Sequence, residues 1–419
     1  MPRALAPEVR LREVWAWSMY DFANSAYTTV VITAVFSAYF VSVIAENASW
    51  ATFAWTAALS VSSAAILFTG PLIGAWADAH AAKQRLLLAT TLGCVAFTAL
   101  LYFTQPGAVA LALLLIVLSN YFFGAGENLI AAFLPELADS RALGRVSGWG
   151  WSFGYLGGLA ALGICLFYLT SNPGRPASDT VPVTMLITAA FFALAAVPTF
   201  LFLRERAAPQ ARMENPWARV RETLRRSHQY RDLRRFLVCL LAYQAGITAV
   251  VALAAIYAGV VMKLTMEETI TLIFLVNITA AAGAFGFGYL QDAIGHVRAV
   301  ALTLVAWIVM VLLAGFAESR ASFWVAANLA GLCMGSSQAA GRAIVGYLAP
   351  PARLAEFFGL WGLAVKAGSI FGPLTYGTVQ WLGGSHRLAL FVTGLYFVIG
   401  LALLRRIDVD RGRAAALAP

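Results

Sequence analysis

Residues 108–135 form an apolar run long enough to cross a bilayer as a helix, for which about 20 residues suffice, yet the run carries a carboxylate, Glu127. A charge at such depth costs on the order of 3 kcal/mol even on a lenient insertion scale, so it requires a partner or a water-filled cavity. Asn120, Gly124, Glu127 and Ala131 follow steps of four, three and four, which puts them on one helical face. That face is small and polar on a greasy helix, as expected for the wall of a polar cavity inside a membrane protein.

A later stretch repeats the pattern with the charge inverted. Asn328, Gly335, Gln338 and Arg342 also share one helical face, and Arg342 lies 215 positions after Glu127, as Pro350 does after Pro135. Two halves of one chain place opposite charges at matching points.

The whole chain fits a membrane setting. Its 419 residues are 61% hydrophobic and 12% charged, against about 25% charged in soluble domains. A lipid-exposed span must satisfy its own backbone, so the fold is helical. Twelve spans are expected, at 15–44, 51–77, 86–104, 108–134, 148–170, 183–203, 236–262, 269–290, 299–317, 323–347, 358–382 and 388–404. The first is too long for a cleavable signal peptide and contains Asp21 and Asn24. The predicted fold class is an all-α polytopic membrane protein with two pseudo-symmetric six-helix bundles. Residues 1–203 form one bundle, 204–235 a basic linker and 236–419 the other, with a short tail.

Arginine and lysine set the orientation. With the amino terminus inside, the cytoplasmic segments hold 23 of the 29 basic residues, the external loops 4, and the spans Arg342 and Lys366. Both ends are therefore expected in the cytoplasm. The net charge of +9 then faces anionic headgroups, and no recognition motif accompanies it that would point to nucleic acid. Within the linker, the stretch from Pro216 suits a short amphipathic surface helix or a solvated connection. The predominance of arginine over lysine suggests a GC-rich bacterial genome and nothing more, and the expected location is a bacterial cytoplasmic membrane.

Cys94, Cys165, Cys239 and Cys333 are scattered through apolar runs without metal or disulfide spacing. His80, His228, His296 and His386 fall in polar connections, which leaves no histidine as an intramembrane proton relay. No nucleophile–base pair, metal spacing or phosphate-cradling loop supports an enzyme, and neither a cofactor nor a metal is expected.

Further features recur between the halves. Gly74-Ala-Trp-Ala-Asp78 after the second span matches Gly288-Tyr-Leu-Gln-Asp292 after the eighth, with the aspartates 214 apart. Gly150 and Gly154 in the fifth span match Gly368 and Gly372 in the eleventh, 218 apart. Internal repeats about an axis normal to the membrane are the signature of secondary transporters, with the site where the halves meet.

The G-x-x-x-D connections resemble the loop signature of the major facilitator superfamily. Within it, Tyr20-Asp-Phe-Ala-Asn-Ser-Ala-Tyr27, Phe133-Leu-Pro-Glu-Leu137, Val146-Ser-Gly-Trp-Gly-Trp151, Gln338-Ala-Ala-Gly-Arg342 and Glu356-Phe-Phe-Gly359 are similar to the vacuole-effluxer-like family, relatives of the autophagy-linked amino-acid effluxer. The chain departs from that family at Ala131, where asparagine is usual. The resemblance implies the major facilitator fold, transport by alternating access, and a cavity lined by spans one, four, seven and ten.

Asp21, Glu127, Arg342 and Lys366 are the charges inside spans, each expected roughly 8–12 Å from the cytoplasmic end of its helix. With Asn24, Asn128, Gln244 and Gln338 they are the candidate substrate-binding or gating residues. Ser25, Thr28, Thr248 and Asn277 are further polar candidates, each equally suited to interhelical hydrogen bonding. Asp78 and Asp292 are the candidate latch, near the amino ends of spans eleven and five, which favour negative charge. Glu127 and Arg342 are expected to pair across the two-fold axis when the cytoplasmic side is closed. The predicted function is secondary transport of a small solute by a monomer in contact with membrane lipids. An amino acid or related zwitterion is the candidate cargo and a proton the candidate coupling ion, carried by Glu127 or Asp21. A lipid or amphiphile flippase on the same fold is the alternative.

Overall fold

The computed structural model describes residues 5–6, 8–46, 48, 50–139, 141–172, 174–206, 230–264, 266–383 and 385–417. Its long helices are α1 (Leu11–Ile44), α2 (Ala51–His80), α3 (Lys83–Leu100), α4 (Val109–Ala131), α5 (Leu143–Thr170) and α6 (Ala177–Phe202). After the linker come α7 (Arg231–Val260), α8 (Met266–Ile294), α9 (His296–Gly315), α10 (Arg320–Leu348), α11 (Leu354–Gly383) and α12 (His386–Leu404), then a short α13 (Val409–Leu417). Most of the linker, with the helix expected from Pro216 and with His228, lies outside the described residues.

Among the described residues, 11 helices are both long and apolar enough to span a membrane, one fewer than the sequence reading expects. The exception is α10, whose 29 residues reach about 43 Å at 1.5 Å per residue. Asn328, Ser336, Ser337, Gln338 and Arg342 dilute its apolar surface, so polarity and not length sets it apart. Helix α7 begins at Arg231, five residues earlier than expected. Asp232 in its first turn sits at the positive end of the helix dipole and takes Arg411 Nη2 at 2.7 Å. Several other helix ends overrun their apolar stretches, because polar end turns hydrogen-bond readily outside hydrocarbon, whereas α3 and α4 stop short at Leu100 and Ala131. The four intramembrane charges consequently lie at unequal depths, about 6 Å in for Glu127, 9 Å for Arg342, 15 Å for Asp21 and 18 Å for Lys366.

The two halves pack by one scheme. In the first, α1 packs on α5 and α6, α4 on α2 and α3, and α3 on α6. In the second, α7 packs on α11 and α12, α10 on α8 and α9, and α9 on α12. The contacts between halves obey the same two-fold relation: α2 against α11 mirrors α8 against α5, and α4 against α11 mirrors α10 against α5. Connections match too. Ala81 after α2 and Gly295 after α8 both have positive φ, 47° and 91°, which reverses the chain in a tight turn.

Small residues make this packing possible. A side chain at Gly157 would strike the Phe22 carbonyl of α1, and one at Gly372 the Ala245 carbonyl of α7. Gly157 therefore seats α1 on α5, and the Gly368-x-x-x-Gly372 stripe seats α7 on α11, at backbone contact. Tyr20 Oη occupies the space beside Gly126, and Tyr243 Oη the space beside Gly341, so Asp21 and Gln244, the next residues along, are equivalent in the two halves.

Candidate functional site

Helix α1 begins and α12 ends on one face of the bundle, here the terminal side. The hydrogen bonds and ion pairs that join α1, α2, α4 and α5 to α8, α10 and α11 at Asp21, Asp78, Glu127, Ser147 and Asp292 lie in the half of the bundle toward that side. The halves are thus closed there.

Arg342 is the centre of the closure. Its Nη1 donates to Asp21 Oδ2 at 2.7 Å, its Nε to Ser147 Oγ at 3.1 Å and its Nη2 to the Ser147 carbonyl at 2.9 Å. The guanidinium also lies over the rings of Trp17 at 4.6 Å and Trp151 at 5.3 Å, within cation–π range. Gly150 makes room for the pair, since a Cβ there would fall 2.5 Å from Asp21 Oδ2 and 2.6 Å from Arg342 Nη2. Only 3% of the Arg342 side chain and 10% of Asp21 are exposed. Three planar donors satisfied at once, with two aromatic rings beside them, suit arginine and not lysine.

Glu127 pairs elsewhere. Its Oε2 lies 3.8 Å from Lys366 Nζ on α11, with 22% and 13% of the two side chains exposed. Lys366 Nζ stands 5.8 Å from the Phe123 ring centre. The expected Glu127–Arg342 pair is therefore replaced by two pairs, Asp21–Arg342 and Glu127–Lys366. The reason is geometric. A two-fold rotation that carries Glu127 to Arg342 carries α4 against α11 to α10 against α5. Symmetry mates repeat each other's surroundings across the axis, so Arg342 reaches α5 and α1 while Glu127 reaches α11.

The latch aspartates sit at helix amino ends. Asp78 Oδ2 accepts from Glu356 N, in the first turn of α11, at 3.0 Å. Asp292 accepts from Gly144 N at 3.0 Å and Arg145 N at 3.1 Å, in the first turn of α5, with Arg145 Nε at 3.4 Å. Each carboxylate joins the end of a helix in one half to the start of a helix in the other and meets the orphan N–H groups and positive dipole there.

The remaining candidates divide. Asn128 is wedged between Gly70 of α2 and Gly362 of α11, and its Nδ2 has no partner. Gln244 is buried beside Gly368 with Oε1 unpartnered. Asn24 is buried beside the Asp21–Arg342 pair in sequence, and Gln338 is half-buried one turn from Arg342. Asn120 binds Ser62 Oγ, which makes its part of the α4 face a contact with α2 and not a cavity wall. Thr28, Asn277 and Asn328 bond to carbonyls of their own helices, and Thr248 also reaches the Gly368 carbonyl of α11 at 3.2 Å. His80, His296 and His386 stand at helix ends.

The sequence reading did not single out Ser147, Trp17 and Trp151 as partners of Arg342. Trp17 precedes Asp21 by one turn, and Ser147 and Trp151 bracket Gly150. That spacing around a glycine that admits a buried ion pair is the signal that could have found them. Nor did it find the buried Lys83–Glu136 pair, because Lys83 reads as a loop residue.

Known proteins agree with this architecture. The human organic anion transporter MFSD10 (TETRAN) superposes with a TM-score of 0.76 over 94% of this chain and 99% of its own, at 17% identity. The MFS-type transporter YxiO of Bacillus subtilis, itself uncharacterised, is 28% identical over 93% of both chains. Autophagy-related protein 22-1 of Penicillium rubens is 25% identical over 69% of this chain and 53% of its own, so the chain spans about half the length of that fungal relative. The model of the vacuole effluxer Atg22-like family matches residues 48–417. With its long helices in two pseudo-symmetric bundles, this integral membrane protein belongs to the vacuole effluxer Atg22-like family of major facilitator transporters.

Proposed function

We propose that the protein is a secondary transporter that carries a small zwitterion, an amino acid or a close relative, by alternating access. The observation that supports this most is the contrast between its two intramembrane ion pairs. Asp21–Arg342 is short and caged. Glu127–Lys366 is 3.8 Å apart and more exposed, beyond hydrogen-bond reach. A loose pair leaves a carboxylate for an ammonium group and an ammonium for a carboxylate. A cargo that inserts between them gains contacts that differ between the open and closed states, which is what drives a population shift.

The Asp21–Arg342 cage and the latch of Asp78 and Asp292 serve as the gate in this reading. Asn128, Gln244, Asn24 and Gln338 supply uncharged contacts along the path. The bundles 1–203 and 236–419 rock about the linker 204–235, with both termini in the cytoplasm of a bacterial cell and the protein acting as a monomer. The proton is the coupling ion, with Glu127 or Asp21 as its carrier. The description of the family as vacuole effluxers favours export.

The test is counterflow in proteoliposomes preloaded with single amino acids. Accumulation of labelled substrate that saturates and is competed by a zwitterion, and not by its amide or its decarboxylated amine, supports the reading. Absence of exchange for every zwitterion, with scrambling of labelled lipid instead, would replace it with the flippase.

A further inference from the structure

The terminal side holds a cavity of about 880 Å³ beside the Asp292 latch, lined by none of the residues assigned above to cargo or proton. Its walls carry six arginines, Arg141, Arg235, Arg298, Arg405, Arg406 and Arg411, against Asp292, Asp408 and Asp410. Two of the aspartates, Asp292 and Asp408, are committed to other contacts. Asp292 is held by Gly144 and Arg145 of α5, and Asp408 takes Arg411 N at 3.0 Å at the start of α13. Arg411 and Arg235 are committed to Asp232 and the Arg406 carbonyl. Among the described residues, no ion pair engages Arg141, Arg298, Arg405 or Arg406.

The pseudo-symmetry indicates what such a cleft requires. In the first half, the amino end of α3 is capped by a carboxylate from the segment after α6: Glu205 accepts from Lys83 N at 3.0 Å and Gln84 N at 3.2 Å. Glu136 and Glu13 neutralise Lys83 and Arg206 beside it. The counterpart in the second half is the amino end of α9, a 20-residue helix whose first residues line the cavity. Gly295 precedes it with no side chain to cap it. Asp408, which follows α12 as Glu205 follows α6, turns to α13 instead. Pro351 stands 215 positions after Glu136, where a second carboxylate would be. One half fills its helix end with carboxylates, while the other rings the same place with guanidinium groups.

We propose that this cavity binds a phosphate-bearing anion at the amino end of α9, held by Arg298, Arg405 and Arg406. Helix amino ends and arginine forks are the two elements that bind phosphate best, and here they converge on a cavity large enough for an organic phosphate. Arg141 belongs to the first half and closes the cavity from the α4–α5 connection, so the bound anion touches both halves and favours the closed terminal side. The same glycerophosphate chemistry is available from an anionic lipid headgroup or from a soluble phosphate ester.

The experiment uses the full-length protein. Binding is titrated with inorganic phosphate and sn-glycerol 3-phosphate in detergent, and with phosphatidylglycerol in phosphatidylcholine nanodiscs, read by thermal shift and by native mass spectrometry. Saturable binding of at least one probe is expected. Arg298→Gln/Arg405→Gln should weaken it at least 10-fold, and Arg85→Gln/Arg204→Gln, which removes the same charge from exposed positions of the first half, should change it less than 2-fold. Binding of phosphatidylglycerol alone assigns the anion to the bilayer, and binding of glycerol phosphate assigns it to solution. No saturable binding of any probe, or equal losses in the two double variants, overturns the proposal.

Discussion

Arg342 Nη1 and Asp21 Oδ2 meet at 2.7 Å across the boundary between the two halves, although they are 321 residues apart in sequence and on non-equivalent helices. The charge equivalent to Arg342 by symmetry is Glu127, and the residue equivalent to Asp21 is Gln244. One half therefore closes with a caged pair, while the corresponding position in the other half is uncharged on α7 and leaves Glu127 to Lys366. The asymmetry makes the two pairs separable by mutation.

Removing one partner of a buried pair strands the other, which costs roughly 3–5 kcal/mol. Arg342→Ala leaves Asp21 without a counter-ion in the closed state, whereas opening admits water to it. The terminal side should therefore open. Spin labels at Arg85 and Arg405, exposed on opposite halves, should report a longer distance in Arg342→Ala, and Asp21→Arg/Arg342→Asp should recover part of the short population. An unchanged distance distribution in Arg342→Ala would make the cage a static brace.

The closure also depends on backbone contact. A Cβ at Gly148 of α5 would run into the Ala284 carbonyl of α8. Gly148→Ala should push the halves apart at a cost of about 1–3 kcal/mol, as overpacking does. Gly163, further along the same helix, has open space around it, so Gly163→Ala should be nearly neutral. Alkylation of a cysteine placed at Ser147 should speed up in the Gly148 variant and not in the Gly163 variant. Equal rates in both would show that α5 and α8 can adjust without separating.

Sequence periodicity revealed these elements unequally. The spans were legible because apolar length in a bilayer allows few alternatives, and even α10, whose polar face sets it apart from the other spans, was legible from its repeat with α4. All four intramembrane charges were found, because a charge in an apolar run stands out. Their pairing was not, because it depends on which helices cross at contact distance. The crossings are set by glycines such as Gly150, whose missing side chain the sequence records without saying what fills the space. The offset of 215 identifies equivalent residues, and equivalence was read as contact. Asp78 and Asp292 were easier, since each lies in the last turn of its helix, four residues after a glycine, and a carboxylate there has helix amino ends as natural partners.

The loose pair gives the sharpest prediction, because its energetics separate function from folding. Glu127 and Lys366 are 3.8 Å apart and 22% and 13% exposed, and a partly solvated pair without a hydrogen bond contributes about 0–1 kcal/mol. Neutralising either should lower the melting temperature by only a few degrees, and by less than Arg342→Ala does. Lys366→Met removes the cation that would hold a substrate carboxylate, so counterflow should fall at least 10-fold. Glu127→Gln keeps an amide oxygen that accepts from a substrate ammonium but no longer takes up a proton. Uptake driven by a pH gradient should therefore disappear in Glu127→Gln, while counterflow at fixed pH persists. The two variants are then opposite in kind, one losing exchange and the other losing only its drive. If pH-driven uptake survives in both Glu127→Gln and Asp21→Asn, neither carboxylate carries the proton. If Lys366→Met exchanges substrate at the normal rate, the pair is not where cargo sits, and the cavity must be searched from Gln244 and Asn128 instead.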